Sequence, residues 1–89
     1  MAWTIEFTET SRRQFEKLDQ AVAARISKFL RERVARMENP RSIGQALKGE
    51  RFGEFWKYRV GDYRLITKIE DDRLLVLILS VGHRREIYR

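Results

Sequence analysis

Eighty-nine residues carry 19 Lys and Arg against 13 Asp and Glu, a formal charge of +6, with one histidine and no cysteine. A chain of this length builds one hydrophobic core, so residues 1–89 are expected to form a single domain. The lack of cysteine excludes disulfides, thiolate–zinc sites and cysteine nucleophiles, and one histidine excludes an all-histidine metal site, so neither metal nor cofactor is expected.

Residues 1–47 hold nine basic and six acidic groups and residues 48–89 hold ten and seven, +3 in each part. The charge is not a detachable basic tail, so a face for polyanions or acidic proteins must be assembled by folding. No stretch approaches the roughly 20 apolar residues of a membrane span, and MAWTIEF has no basic segment ahead of a long apolar run. The cytosol is the expected compartment.

In chain order, Trp3, Ile5 and Phe7 alternate with Thr4 and Glu6, the period-two pattern of a short half-buried strand. Thr8 or Thr10 can cap a first helix that turns Phe15 and Leu18 inward, and Asp19 can cap a second. In that second helix Val22, Ile26, Phe29, Leu30, Val34 and Met37 keep helical spacing, while Arg25, Lys28, Arg31 and Arg36 take its polar face. Asn39-Pro40 ends it, because a residue before proline is pushed out of the helical region. Residues 41–50 read as a loop around Gly44 and Gly49. Strands follow over 52–60, 62–69 and 73–81, with turns at Gly61-Asp62 and Asp71-Asp72. The expected fold is α+β in the order βααβββ: an antiparallel meander, the first strand added at one edge and both helices on one face.

Two segments concentrate chemistry-bearing side chains. A two-residue turn at Gly61-Asp62 pairs Val60 with Tyr63 and sets Arg59 opposite Arg64, with Lys57 on the same face. Three like charges grouped this way imply either carboxylate partners, such as Asp62 or Glu54, or a site for an anionic ligand. The second segment is Ser80-Val81-Gly82-His83-Arg84-Arg85-Glu86-Ile87-Tyr88-Arg89, which is equally the pattern of a soluble chain end. No nucleotide-binding glycine loop or nucleophile elbow is present. RNA cleavage needs none of these: attack of a ribose 2′-OH requires alignment, charge stabilisation at phosphorus and proton transfer, and arginine, lysine and tyrosine can supply them. Trp56, Tyr58, Tyr63 and Tyr88 can stack on bases, although the first three equally suit a core.

The stretches W-K-Y-R-V-G-D-Y-R-L-I at 56–66 and S-V-G-H-R-R-E-I-Y at 80–88 resemble the RelE toxins of bacterial toxin–antitoxin systems, as do F-x-K-L at 15–18 and A-L-K-G at 46–49. The resemblance implies a RelE-like fold and a metal-independent endoribonuclease that cuts mRNA in the ribosomal A site. It implies a RelB-like antitoxin as the partner, in a hetero-oligomer. By position it implies Lys57, Arg64, Arg84 and Tyr88 as catalytic residues, and Arg59, Lys48, His83 and Arg85 as RNA contacts. Arg64 and Arg84 take the phosphate and transition-state charge, Lys57 the neighbourhood of the 2′-oxygen or the scissile phosphate, and Tyr88 stacking or proton transfer. Phe55 departs from the pattern, standing where some members have a second lysine, and His83 stands where some have lysine. The related ParE toxins share the fold and act on DNA gyrase without cleaving RNA. A degenerate toxin that only binds its antitoxin is the third possibility.

Overall fold

The computed structural model describes residues 2–47 and 55–83. Strand β1 (Thr4–Phe7) stops at Thr8, which is extended and whose side-chain oxygen accepts the Ser11 N–H at 3.1 Å, capping helix α1 (Glu9–Glu16). Asp19 precedes helix α2 (Gln20–Phe29) in the capping position, with no side-chain cap bond. Spacing alone runs this helix on towards Asn39-Pro40. The regular helix instead ends at Phe29 and continues as one wider turn, Leu30–Val34, in which the Ala35 N–H reaches the Leu30 carbonyl at 2.8 Å. Side chains four apart on an α-helix drift by about 40°, and a five-residue turn takes that drift back. Ile26, Leu30 and Val34 thereby all stay buried against the sheet.

A short turn at Pro40–Ser42, in which the Asn39 side chain accepts the Arg41 N–H, leads to strands β2 (Gln45–Ala46), β3 (Phe55–Val60), β4 (Tyr63–Glu70) and β5 (Leu75–His83). The sheet order is β1-β5-β4-β3-β2. β3, β4 and β5 form the expected antiparallel meander, and β1 joins β5 in parallel, so the sheet is mixed. Two expectations change. The stretch read as a loop from residue 41 contains β2, which pairs with Trp56 and Lys57. Asp71-Asp72 is not a tight turn: Glu70 pairs with Leu75, so four residues make the connection, and Leu74 takes a left-handed conformation at φ 48°. The first residues of the strand expected from residue 52 lie outside the described residues.

Alternation and register place Tyr58, Leu65 and Val81 side by side on the helix-covered face, the centre of the core. Tyr58 is fully buried, donates to the Pro40 carbonyl at 2.5 Å and meets the Phe29 ring edge-on at 5.8 Å. It is a core residue, not a base-stacking platform. Burial pushes its hydroxyl pKa up, opposed by the nearby Arg41 guanidinium.

Beyond the pair Phe7–Ile78, β1 ends while β5 continues, and α1 takes over the outer edge of β5. The buried Ser11 hydroxyl donates to the Ile78 carbonyl at 2.6 Å, and the Gln14 side-chain oxygen accepts the Val81 N–H at 2.7 Å. Leu79 is the extra residue here, since Ile66 pairs with Ser80 and Thr67 with Ile78.

A candidate nucleic-acid interface

The site begins with the Gly61-Asp62 turn. Gly61 takes φ +60°, a conformation that suits glycine, and closes a two-residue hairpin in which Val60 pairs with Tyr63. That fixes Arg59 directly across from Arg64, with side chains starting about 4.5–5.5 Å apart. Lys57 pairs with Ile66 and alternates to the same side of the strand as Arg59, opposite to Tyr58. The register read from the sequence is the one observed, and it gathers Lys57, Arg59 and Arg64.

The three cations differ in setting. Arg59 is exposed and Lys57 half-buried, while Arg64 is only 9% exposed and is the one charged side chain among the buried described residues. The Arg64 guanidinium donates through Nη1 to the Tyr63 and Gly61 carbonyls, at 3.2 and 3.4 Å. Among the described residues no carboxylate forms an ion pair with Arg59 or Arg64; Asp62 does not. A guanidinium withdrawn from water, with a second one across the ladder and two long carbonyl contacts, leaves a positive field that no ion pair among the described residues offsets. Arginine stays charged at any working pH and matches phosphate oxygens with two parallel donors.

His83 is not in this group. It pairs with Tyr63, whose side chain alternates to the other side of β4 from Arg64, and the two rings meet edge-on at 5.6 Å. Lys48, Arg84, Arg85 and Tyr88 lie outside the described residues. Gly82 pairs with Arg64, so β5 comes to its end beside that arginine. Trp56 is held by its indole N–H, which donates to the Ile43 carbonyl at 2.8 Å, so it is a structural residue.

One contributor was missed in the sequence. A cleft of about 400 Å³ runs along β3, lined by Lys57, Arg59 and Arg64, by the segment Ile43–Gln45, and by Phe29 and Arg33. Arg33 belongs to the wide turn that follows α2. Helical spacing placed Arg25, Lys28, Arg31 and Arg36 on a polar face, and nothing in it singled out Arg33.

A separate cation–carboxylate pair serves the fold. Arg41 grips Asp71 with both terminal nitrogens, at 2.8 and 3.0 Å, tying the Pro40–Ser42 turn to the β4–β5 connection. The hydrogen bond from Arg41 holds the Asp71 carboxyl below its ordinary pKa, and the same contact raises that of Arg41.

The family model described as the ParE toxin of type II toxin–antitoxin systems, parDE, matches residues 5–88. The chain is 38% identical to toxin RelG of Mycobacterium tuberculosis over 89 residues, covering 100% of this chain and 99% of that protein. It is 31% identical to the mRNA interferase toxin RelE of Escherichia coli, covering 99% of this chain and 92% of that protein. Among solved structures, the toxin–antitoxin complex RelBE2 of M. tuberculosis contains a chain that superposes with a TM-score of 0.84 at 32% identity, covering 97% of this chain and 95% of that one. A double mutant of E. coli RelE in the free state gives 0.78 at 27% identity, covering 99% and 90%.

Proposed function

Because the chain belongs to the RelE/ParE superfamily of type II toxin–antitoxin toxins, we propose that it is the member type that cleaves mRNA on the ribosome. The observation that supports this most directly is the buried Arg64 set against Arg59 and beside Lys57, with no carboxylate paired to either arginine among the described residues. Such a group has a use for a phosphodiester.

In the proposed reaction the ribose 2′-oxygen bonds to the adjacent phosphorus while the bond to the 5′-oxygen breaks, leaving a cyclic phosphate and a free 5′-hydroxyl. Arg64 and Arg84 hold the phosphate and stabilise the charge that builds on its oxygens; Lys57 faces the attacking 2′-oxygen; Tyr88 stacks on a base or carries a proton. Arg84 follows His83 in the sequence. Protein cations stabilise the charge, so the step is routed through no metal. The proposed partner is an acidic antitoxin that folds on contact and covers the cationic face, in keeping with the M. tuberculosis relative, whose structure is a toxin–antitoxin complex.

The match to the ParE model favours one alternative, a toxin that inhibits gyrase without cutting RNA. Mapping 5′ ends on ribosome-bound messages shortly after expression separates the two. Cuts at A-site codons are the expected result. Intact messages together with lost supercoiling assign the ParE activity instead, and intact messages with normal growth assign a toxin that only binds its antitoxin.

A further inference from the structure

Where α1 borders β5, three polar residues stand three apart: Thr8 in the capping position, then Ser11 and Gln14 in the helix. All three hold backbone atoms of one short stretch of strand. The Thr8 N–H and the fully buried Ser11 hydroxyl both donate to the Ile78 carbonyl, at 3.1 and 2.6 Å. Gln14 reaches furthest along the strand: its side-chain oxygen accepts the Val81 N–H at 2.7 Å and the Ser80 hydroxyl at 3.3 Å. The stretch so held is the one that contains the extra residue, Leu79.

That extra residue decides which side chains of β5 face which way. Up to Ile78 the even positions, Val76 and Ile78, point into the core; beyond it the odd position Val81 does. Gly82 therefore falls on the opposite side of the strand, directly across from Arg64. Without the extra residue, and with Ile78 still against Thr67, the ladder would read Leu65 against Ser80 and Arg64 against Val81. The Ser80 hydroxyl would then enter the core. The branched side chain of Val81 would stand across from the Arg64 guanidinium, where Gly82 puts no side chain.

The Gln14 bond belongs to the bulged arrangement alone. In an unbroken strand, backbone groups two residues apart share an edge, so the amide turned to α1 after the Ile78 carbonyl would be that of Ser80. Gln14 takes the amide of Val81, three residues on.

We infer that Gln14 is a positioning residue for the cationic site. By holding the Val81 amide it fixes the bulged phase of β5, and so keeps glycine rather than a branched side chain across from Arg64. It binds the edge of β5 that lies away from β4 and acts on Arg64 only through that strand. The inference rests on the RNA-cleaving reading and adds to it a residue outside the sequence stretches that point to that reading.

The test compares wild type with three variants. Gln14→Leu keeps the bulk and loses the acceptor, Gln14→Asn keeps the polarity and is too short to reach, and Gln14→Glu keeps an oxygen at the same length. Amide exchange is followed in the chain alone, and single-turnover cleavage of ribosome-held mRNA is followed across ribosome concentrations. In Gln14→Leu and Gln14→Asn the Val81 amide should exchange at least about tenfold faster. The maximal cleavage rate should fall about tenfold to a hundredfold, as when a catalytic group is misplaced by about 1 Å. The half-saturating ribosome concentration should stay within about twofold, because no binding contact is removed. Gln14→Glu should return the rate to within about threefold of wild type, since a carboxylate accepts the same two donors. Tyr58→Phe, which loses a core hydrogen bond of comparable strength, is the control: it should melt in urea like Gln14→Leu and cleave within about twofold of wild type.

Faster Val81 exchange in a folded Gln14→Leu or Gln14→Asn that cuts at the wild-type rate overturns the inference, and makes the bond structural only. An equal loss of rate in Tyr58→Phe overturns it too, because general stability then accounts for the effect. A raised half-saturating concentration with an unchanged maximal rate overturns it in favour of a ribosome contact by Gln14. A wild-type chain that leaves ribosome-bound mRNA intact refutes the endoribonuclease reading itself, and the role of Gln14 in cleavage falls with it; a wild-type chain that cuts, beside variants that cut equally well, refutes the role alone.

Discussion

Arg64→Ala separates the chemistry of the hairpin from its stability. The two carbonyl contacts of this guanidinium, at 3.2 and 3.4 Å, lie at or beyond the long end of useful hydrogen bonds and together contribute about 1 kcal/mol. Removing the side chain also ends the like-charge pairing with Arg59, a gain of about 0.2–1 kcal/mol. These effects nearly cancel, so the variant should unfold in urea within about 1 kcal/mol of wild type. Cleavage should behave quite differently. Loss of one donor to a developing oxyanion costs about 2.7–4 kcal/mol, a hundredfold to thousandfold in rate. The assay is single-turnover cleavage of an mRNA held in ribosomes, read by reverse transcription, beside urea melts of the same preparations. Arg64→Lys, which keeps the charge and loses the planar fork, should fall between the two. A folded alanine variant that cuts at the wild-type rate refutes the assignment of Arg64 to the phosphate. A loss of stability above about 3 kcal/mol refutes the premise that its burial serves the ligand rather than the fold.

Three further outcomes follow from the geometry. Gly44→Ala places a methyl group 2.5 Å from the Lys57 carbonyl oxygen at a left-handed position; backbone strain and overpacking should together cost about 2–5 kcal/mol, with a change in Trp56 fluorescence, both checked by a denaturant melt. Tyr58→Phe loses the hydrogen bond to Pro40, about 0.5–1.5 kcal/mol at neutral pH. The Tyr58 pKa is raised on folding, so its contribution is fully present below about pH 10 and is lost as pH rises further; the gap between wild type and Tyr58→Phe should narrow in melts above pH 10. The Asp71 carboxyl is depressed on folding, so its contribution is present above about pH 4 and is lost as pH falls through the lowered value. Asp71→Asn should therefore differ from wild type at pH 7 and converge with it in acid, as followed by thermal melts.

Much of the fold is local chemistry, and local chemistry is readable. Trp3, Ile5 and Phe7 announce a strand by period alone, Thr8 caps a helix because its oxygen reaches the Ser11 N–H, and Gly61 admits the left-handed turn that sets Arg59 against Arg64. What escaped is non-local or aperiodic. The parallel pairing of β1 with β5 joins residues about seventy positions apart. β2 is two residues long and owes its place to β3 rather than to any pattern of its own. The wide turn at Leu30–Val34 shifts which side chains share a line, and with it moves Arg33 into the cleft. The cationic group of the hairpin was legible because a two-residue turn dictates its register. The near-complete burial of Arg64 was not, because burial belongs to the assembled molecule.

The way α1 borders β5 has a consequence for behaviour in concentrated solution. A bare stretch of strand offers a row of amides and carbonyls that any extended peptide can zip onto, including the same stretch of a second molecule. Here the Ile78 carbonyl and the Val81 amide are already occupied by Ser11 and Gln14. Two short polar side chains thus act as a seal against fibre-like self-association, leaving the strand that ends beside Arg64 free of competing copies of itself.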